Sequence, residues 1–299
     1  ITCDVYGARD RGVGNDPTYT IYKYTAPWLI EWLALNKTSL TKEDICTGTF
    51  PVPSRLYSGP HLFSNYSELG VYITDEVDVH TLVFDIMASV GGHARFGRVC
   101  AQPGGADKIK LQIFELEEPN VKALRLLNNN YTILELTEDQ ILENGLSLAL
   151  TEPPRHTVTL GYRKNWHIQE RGTLAGLLTD PNNDYLYLVD LYTNEFSKVF
   201  KRNEGILTKY PLAEDTEVIS TYLYTKVDAT NEVNKRAILR NTKRFVFKIE
   251  TTLAPLTLGI GDIVKVTYNR FGFNFGRYAT IIGLQENPVE NRVTMEIWL

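Results

Sequence analysis

An α+β fold, richer in strand than in helix, follows from three features of this sequence. Residues 258–299 rotate β-branched and aromatic runs with Gly, Asn and Asp turns, as a β-meander requires. Val79, Leu82, Val83, Ile86, Met87 and Val90 recur at helical spacing, one apolar stripe of an amphipathic helix. Ile109, Leu111 and Ile113 alternate with polar residues, as in a half-buried strand. Together they predict a small α+β domain followed by a β-barrel-like domain with a few helices.

The elements can be justified in order. Residues 1–12 read as a strand that completes an upstream domain, followed by a charged loop with Gly12 and Gly14; the chain is expected to be cut from a longer polypeptide. A lone Gly-Val-Gly there is no dinucleotide fingerprint. Residues 13–118 form the α+β domain. Within it Thr25 caps a helix with Pro27 in its first turn, where a missing N–H costs nothing, and Trp28, Leu29, Trp32 and Leu33 make its apolar face. Thr41 and Asp44 resemble a capping box. Residues 48–68, rich in Gly, Pro, Ser and aromatics, read as an irregular loop. Asp78 caps the strongest helix, and Gly91-Gly92 stops it.

Residues 119–154 read as a linker and connecting segment, with a helical turn from Thr137 and Gln140 to Gly145 and a break at Pro153-Pro154. Residues 155–299 form the barrel-like domain. It opens with a strand carrying His156, Val158 and Leu160, and includes a short helix near Thr173–Leu178. A helix from Ala229 to about Asn241 follows, capped by Asp228, with Ala229, Val233 and Ala237 as its apolar line. Phe245, Phe247 and Ile249 then lead into the closing meander.

Composition narrows the function classes. A hydrophobic fraction of 43% and a charged fraction of 22% describe an ordinary globular chain. The net charge of −5 argues against a nucleic-acid-binding surface, and no apolar run approaches the ~20 residues that span a bilayer. Cys3, Cys46 and Cys100 are odd in number and far apart, so buried thiols are expected rather than a disulfide framework or a metal cluster. None of His61, His80, His93, His156 and His167 stands in a metal-ligand motif, and no nucleophile elbow occurs. His80 is expected in solvent and His156 in a satisfied structural role. Glu115, Glu117 and Glu118 read as the solvated end of a strand, and Asp75, Glu76 and Asp78 as helix N-terminal acids. No catalytic residue, cofactor or metal site is therefore expected.

Contact residues are expected elsewhere. Tyr162, Asn165 and Trp166 close a strand, Phe271, Phe273 and Phe275 crowd a turn that also holds Gly272 and Gly276, and Trp298 ends the chain's last strand. Each is a candidate subunit contact, and each could instead pack inward. The basic run Lys235, Arg236, Arg240, Lys243, Arg244 and Lys248 reads either as a solvated helix face or as a charge-complementary partner surface.

The stretch Val158-Thr-Leu-Gly-Tyr-Arg-Lys-Asn-Trp-His-Ile-Gln169 resembles a signature of central hub proteins in long-tailed bacteriophages. The same order continues through Tyr210-Pro-Leu-Ala213, Arg244-Phe-Val-Phe-Lys-Ile249, Leu258-Gly-Ile-Gly-Asp-Ile-Val264, Asn269-Arg-Phe-Gly272 and Glu296-Ile-Trp298-Leu. Looser agreement covers Val5-Tyr-Gly7, Leu69-Gly-Val-Tyr72 and Arg95-Phe-Gly97. The resemblance implies a structural baseplate-hub or tail-tip protein of the virion: a ring of copies, usually trimeric, joining the tail tube to a fibre or spike. It implies other tail-tip and tail-tube proteins as partners. The iron–sulfur cluster of some family members is not carried over, because the cysteines are not clustered. The alternatives are a receptor- or carbohydrate-binding module at the tail tip, with residues 50–66 as an aromatic platform, and a cell-wall-degrading domain.

Overall fold

A computed structural model of the chain describes residues 25–46, 67–73, 76–97, 109–128, 132–176, 186–252 and 258–299. The expected strand at residues 1–12, the loop that follows it and nearly all of the aromatic loop at 48–68 lie outside the described residues. The fold is α+β, with 35% strand against 30% helix, and its largest sheet curls into a half-barrel.

The helices α1 (Ala26–Lys37) and α2 (Val79–Ser89) precede a hairpin of β1 (Gly92–Gly97) and β2 (Lys110–Glu115). Asp78 caps α2 by accepting a hydrogen bond from the Thr81 N–H at 3.1 Å, as its sequence predicts, and Gly91 (φ +64°) ends it. Thr41 and Asp44 form the expected turn, with the Thr41 N–H and hydroxyl both donating to the Asp44 carboxylate. In α1 the buried face is Ala26, Pro27, Ile30, Leu33 and Ala34, not the Trp28/Trp32 face. The small residues let α1 lie close to α2, and both indoles are half-exposed, Trp32 packing at the flank of the core.

Residues 119–154 supply more structure than a connector. They hold α3 (Pro119–Asn128), β3 (Leu134–Leu136) and the long β4 (Ile141–Glu152). The helical turn expected at Thr137–Gly145 is a tight turn leading into β4 instead. The Gln140 side chain does accept from the Thr137 N–H at 3.2 Å, but Ile141 pairs with Thr251 and pulls the chain into the sheet. Capping chemistry is shared by turns and helices, so tertiary pairing decided between them.

After Pro153-Pro154 come β5 (Thr157–Tyr162), α4 (Leu186–Thr193), β6 (Ser197–Arg202), the short α5 (Glu204–Lys209) and β7 (Val218–Ser220). The helix α6 (Lys226–Arg240) begins earlier than its sequence suggests. Thr225, not Asp228, is its N-cap, and the Thr225 hydroxyl oxygen accepts from the Asp228 N–H at 3.1 Å. The Asp228 carboxylate accepts from the Thr225 hydroxyl at 2.7 Å and from the Glu68 N–H at 3.0 Å, tying the start of α6 to the segment at 67–73. The closing meander is β8 (Arg244–Thr251), β9 (Ile263–Val266), β10 (Arg277–Asn287) and β11 (Arg292–Trp298).

The half-barrel has the order β3-β9-β10-β11-β8-β4, antiparallel except where β3 runs parallel to β9. Its interior buries Leu136, Phe247, Ile249, Val264, Val266, Phe273, Ile281, Met295 and Ile297. A second core joins α1, α2, β1, β2, β5, β6 and α6 through Ile30, Met87, Ile113, Leu160 and Val233. The β5 sheet is three-stranded, in the order β6-β5-β7.

The two cores meet at the loop before β9. Arg95 of β1 donates to the Ile260 carbonyl and pairs with Asp262 at 3.0 Å, while Lys122 of α3 donates to the Gly261 carbonyl at 2.6 Å. The Phe114 ring lies under both cations, 5.5 Å from the Arg95 guanidinium and 5.6 Å from the Lys122 amine. Burial pushes the Lys122 amine from 10.5 down to about 8, against the pull of Asp262 and Glu117.

Candidate assembly surfaces

The seven expected contact residues divide by burial. Phe273 and Trp298 belong to the interior. Phe273 is fully buried and sits edge-on to Phe247 at 5.2 Å, and Trp298 is 6% exposed beneath the Arg244 guanidinium at 4.7 Å. Tyr162 packs half-buried against the α/β core. Asn165 is also half-buried and works locally. Its amide donates to the carbonyls of Tyr192 (2.9 Å) and Leu191 (3.3 Å), and its oxygen accepts from the His167 N–H at 3.0 Å. That network holds the end of β5 against the end of α4.

Trp166, Phe271 and Phe275 remain at the surface, at 41%, 50% and 98% exposure. Trp166 is framed by Tyr72 (6.0 Å) and Tyr222 (6.2 Å), with the Lys164 amine 4.5 Å from its ring. Phe271 has a left-handed backbone (φ +56°) and leans on Phe247 at 5.5 Å. The turn therefore sends Phe273 inward and displays its two neighbours.

A further surface was not anticipated from sequence. Among the described residues β4 ends the sheet order, and Leu148 and Leu150 stand 47% and 53% exposed on it. Leu148 pairs with Phe247, whose ring also supports Phe271, so the edge strand and the aromatic turn flank one residue. The run at 145–151 carries no charge and no proline, two of the devices that protect an edge strand, and its one irregularity is the register break between Leu148 and Leu150. On α3, Val121, Leu124 and Leu127 face outward while Ala123 and Leu126 are buried beside Lys122, so the helix presents apolar residues to solvent as well as to the interior. The signal for β4 was in the sequence as the alternating Leu146, Leu148 and Leu150, but the capping-box pattern just before it masked the strand.

The basic run is largely satisfied within the chain. Lys235 pairs with Glu115 at 2.7 Å, Arg236 with the buried Glu232 at 2.6 Å, Lys248 with Glu250 at 3.0 Å, and Lys243 lies 5.1 Å from the Phe245 ring. Glu115 and Glu117 are thus not solvated strand-end acids, since Glu117 pairs with Arg125 at 2.7 Å. Glu118 caps α3 by accepting from the Val121 N–H.

Among the described residues no group of three His, Cys, Asp or Glu side chains is placed to hold a metal, and no helix is long and apolar enough to cross a membrane. Cys46 is buried and disulfide-bonded, where a free thiol was expected; its sequence spacing gave no sign of the pairing. His80 is exposed against Phe84, and His93, its pKa lowered by burial, stacks on Phe114.

No known family description and no characterised protein matches the sequence. Solved structures similar to the chain include tail proteins, a virion baseplate and a gene transfer agent virion. A tail protein from Neisseria meningitidis aligns over 78% of this chain and 58% of its own, at 10% identity and a TM-score of 0.42. A chain of the native gene transfer agent virion aligns over 65% of this chain and 42% of its own, at 12% identity and a TM-score of 0.33. A chain of the p2 virion baseplate in its activated conformation aligns over 93% of this chain and 65% of its own, at 13% identity and a TM-score of 0.29. The chain thus spans less than two thirds of each of these neighbours.

Proposed function

We propose that this chain is a structural component of a phage tail, a subunit of a hub ring at the tail tip that joins tube to fibre or spike, with three copies closing the ring. One observation carries the assembly reading: the half-barrel ends, among the described residues, in an edge strand whose uncharged run at 145–151 exposes Leu148 and Leu150, with Leu148 paired to the Phe247 that also supports the displayed Phe271. An apolar edge of this kind invites pairing with another chain, and a functional protein uses or covers it. The ring, its threefold symmetry and its place at the tip come from the ordered motifs that resemble central hub proteins. In a closed ring each subunit needs two different complementary faces, and obligate contacts bury on the order of 2,000 Å² or more. The chain's work is mechanical on this reading, with no reaction catalysed.

Native mass spectrometry of the chain at micromolar concentration tests it. A species of three times 34.0 kDa supports the ring. A monomer throughout the concentration range contradicts it.

The exposed Trp166, with Tyr72 beside it, favours carbohydrate binding as the second reading, since exposed aromatic faces are adaptable binding surfaces. A glycan array separates the two: specific binding that disappears in Trp166→Ala would replace the structural reading with a receptor-binding one.

A further inference from the structure

His156 stands apart from the assembly surfaces and is built into a network of its own. It is 5% exposed at the start of β5, where three segments meet. Its N–H donates to the Glu214 carbonyl at 3.1 Å, and its own carbonyl accepts from the Asn203 N–H at 3.0 Å. The ring faces a charged group on either side. Nδ1 lies 3.0 Å from the Asp215 carboxylate and 3.2 Å from the Thr157 hydroxyl. Nε2 accepts from the Arg202 Nε–H at 3.1 Å and lies 3.5 Å from Glu204 Oε2. Arg202 Nε is also 3.1 Å from Glu204 Oε1, and Arg155 pairs with Glu214 at 3.0 Å. Asp215, Glu214 and Glu204 with Arg202 and Arg155 are thus the charged groups around the ring.

This arrangement accommodates two protonation states, with different partners in each. Arg202 Nε carries one hydrogen, with His156 Nε2 and Glu204 Oε1 both 3.1 Å away, and it goes to the ring when Nε2 offers its lone pair. The imidazole is then neutral, with its proton on Nδ1 and directed to Asp215. Hydrogen bonds from Thr157 and His156 hold the Asp215 carboxyl below its ordinary range, in keeping with an ionised acceptor. A second proton can enter only at Nε2, the nitrogen that Arg202 occupies. Once there, Nε2 becomes a donor, the Arg202 contact turns repulsive, and Glu204 Oε2 is the nearest acceptor.

We propose that His156 is a proton-operated clamp on α5. In the neutral form it holds Arg202 of β6. In the protonated form it releases Arg202 and draws Glu204, the first residue of α5, toward β5. Asn203 joins the two ends of this movement, because its N–H donates to the His156 carbonyl and its side chain accepts from the Gly205 N–H at 3.1 Å. The exposed Tyr210 and Leu212, just past α5, are the surface that the clamp would shift. The inference is independent of the ring.

Nitrogen-15 and amide NMR of the full chain through a pH titration tests it. At high pH the His156 ring should show protonated Nδ1 and bare Nε2. On acidification the amides of Glu204, Gly205 and Ile206 should shift with the same midpoint as the ring. Glu204→Gln should leave the neutral tautomer unchanged and lower the midpoint by at least half a pH unit, about a threefold loss of proton affinity. A Glu204→Asp variant, which keeps the carboxylate, should retain most of the midpoint. The proposal is overturned by a neutral ring protonated on Nε2, or by a ring that stays neutral down to pH 4. Flat Glu204–Ile206 amides, or an unchanged midpoint in Glu204→Gln, would overturn it as well.

Discussion

Replacing Gly261 with alanine should loosen the junction between the two cores. Gly261 has φ +92°, and a Cβ built on it would meet the Phe114 ring, with two ring carbons at 2.6 Å and a third closer still. Two penalties combine. A left-handed backbone costs a residue with a Cβ about 1–2 kcal/mol. Forcing a side-chain atom into an occupied space costs roughly 1–3 kcal/mol more, because Phe114 is held between His93, Arg95 and Lys122 and has little room to retreat. The expected loss is about 2–5 kcal/mol, a large share of a stability of order 5–15 kcal/mol. Gly272→Ala separates the terms, since its φ is +77° and nothing lies within 4 Å of its would-be Cβ, so only the backbone penalty of about 1–2 kcal/mol applies. Urea unfolding of both variants, read as a shift in midpoint at constant slope, gives the numbers. A Gly261→Ala protein within about 0.5 kcal/mol of the parent would refute the reasoning, as would equal losses at the two positions.

Lys122 predicts an unusual pH dependence. Its amine falls from 10.5 in the unfolded chain to about 8 in the fold, so between those values the unfolded state holds the extra proton and stability should climb by roughly 3 kcal/mol. Urea midpoints from pH 7 to 10.5 should show that rise, and Lys122→Met should flatten it. Phe273→Ala should cost roughly 3–5 kcal/mol and Phe275→Ala less than about 0.5 kcal/mol, measured by the same unfolding, because the first fills the half-barrel and the second stands in solvent. Changing Leu148 and Leu150 together to Lys should leave thermal unfolding within a few degrees of the parent while abolishing self-association in sedimentation runs.

The sequence carried the fold where periodicity and stop signals agreed. The helix α2 and the closing meander stand where the apolar spacing and the glycine turns put them. It failed where one local signal served two structures. Thr137 and Gln140 make the same side-chain bond in a turn as in a helix cap, and only the pairing of Ile141 with Thr251 selects the strand. The indoles of α1 are large, yet close helix packing favoured Ile30 and Ala34 for the interior. Among contact residues, Phe271, Phe273 and Phe275 share a composition and a turn, and composition has no means to say which one turns inward. The answer lies in the positive φ of Phe271 and Gly272, which reverses the chain around Phe273. The exposed edge of β4 was legible only after its strand partner β8 had been placed.

Negative-stain imaging of the chain at micromolar concentration tests the central claim most directly. The account predicts closed particles with threefold symmetry, lost when Leu148 and Leu150 become Lys. Separate single-copy particles, or rings indifferent to that change, would contradict it.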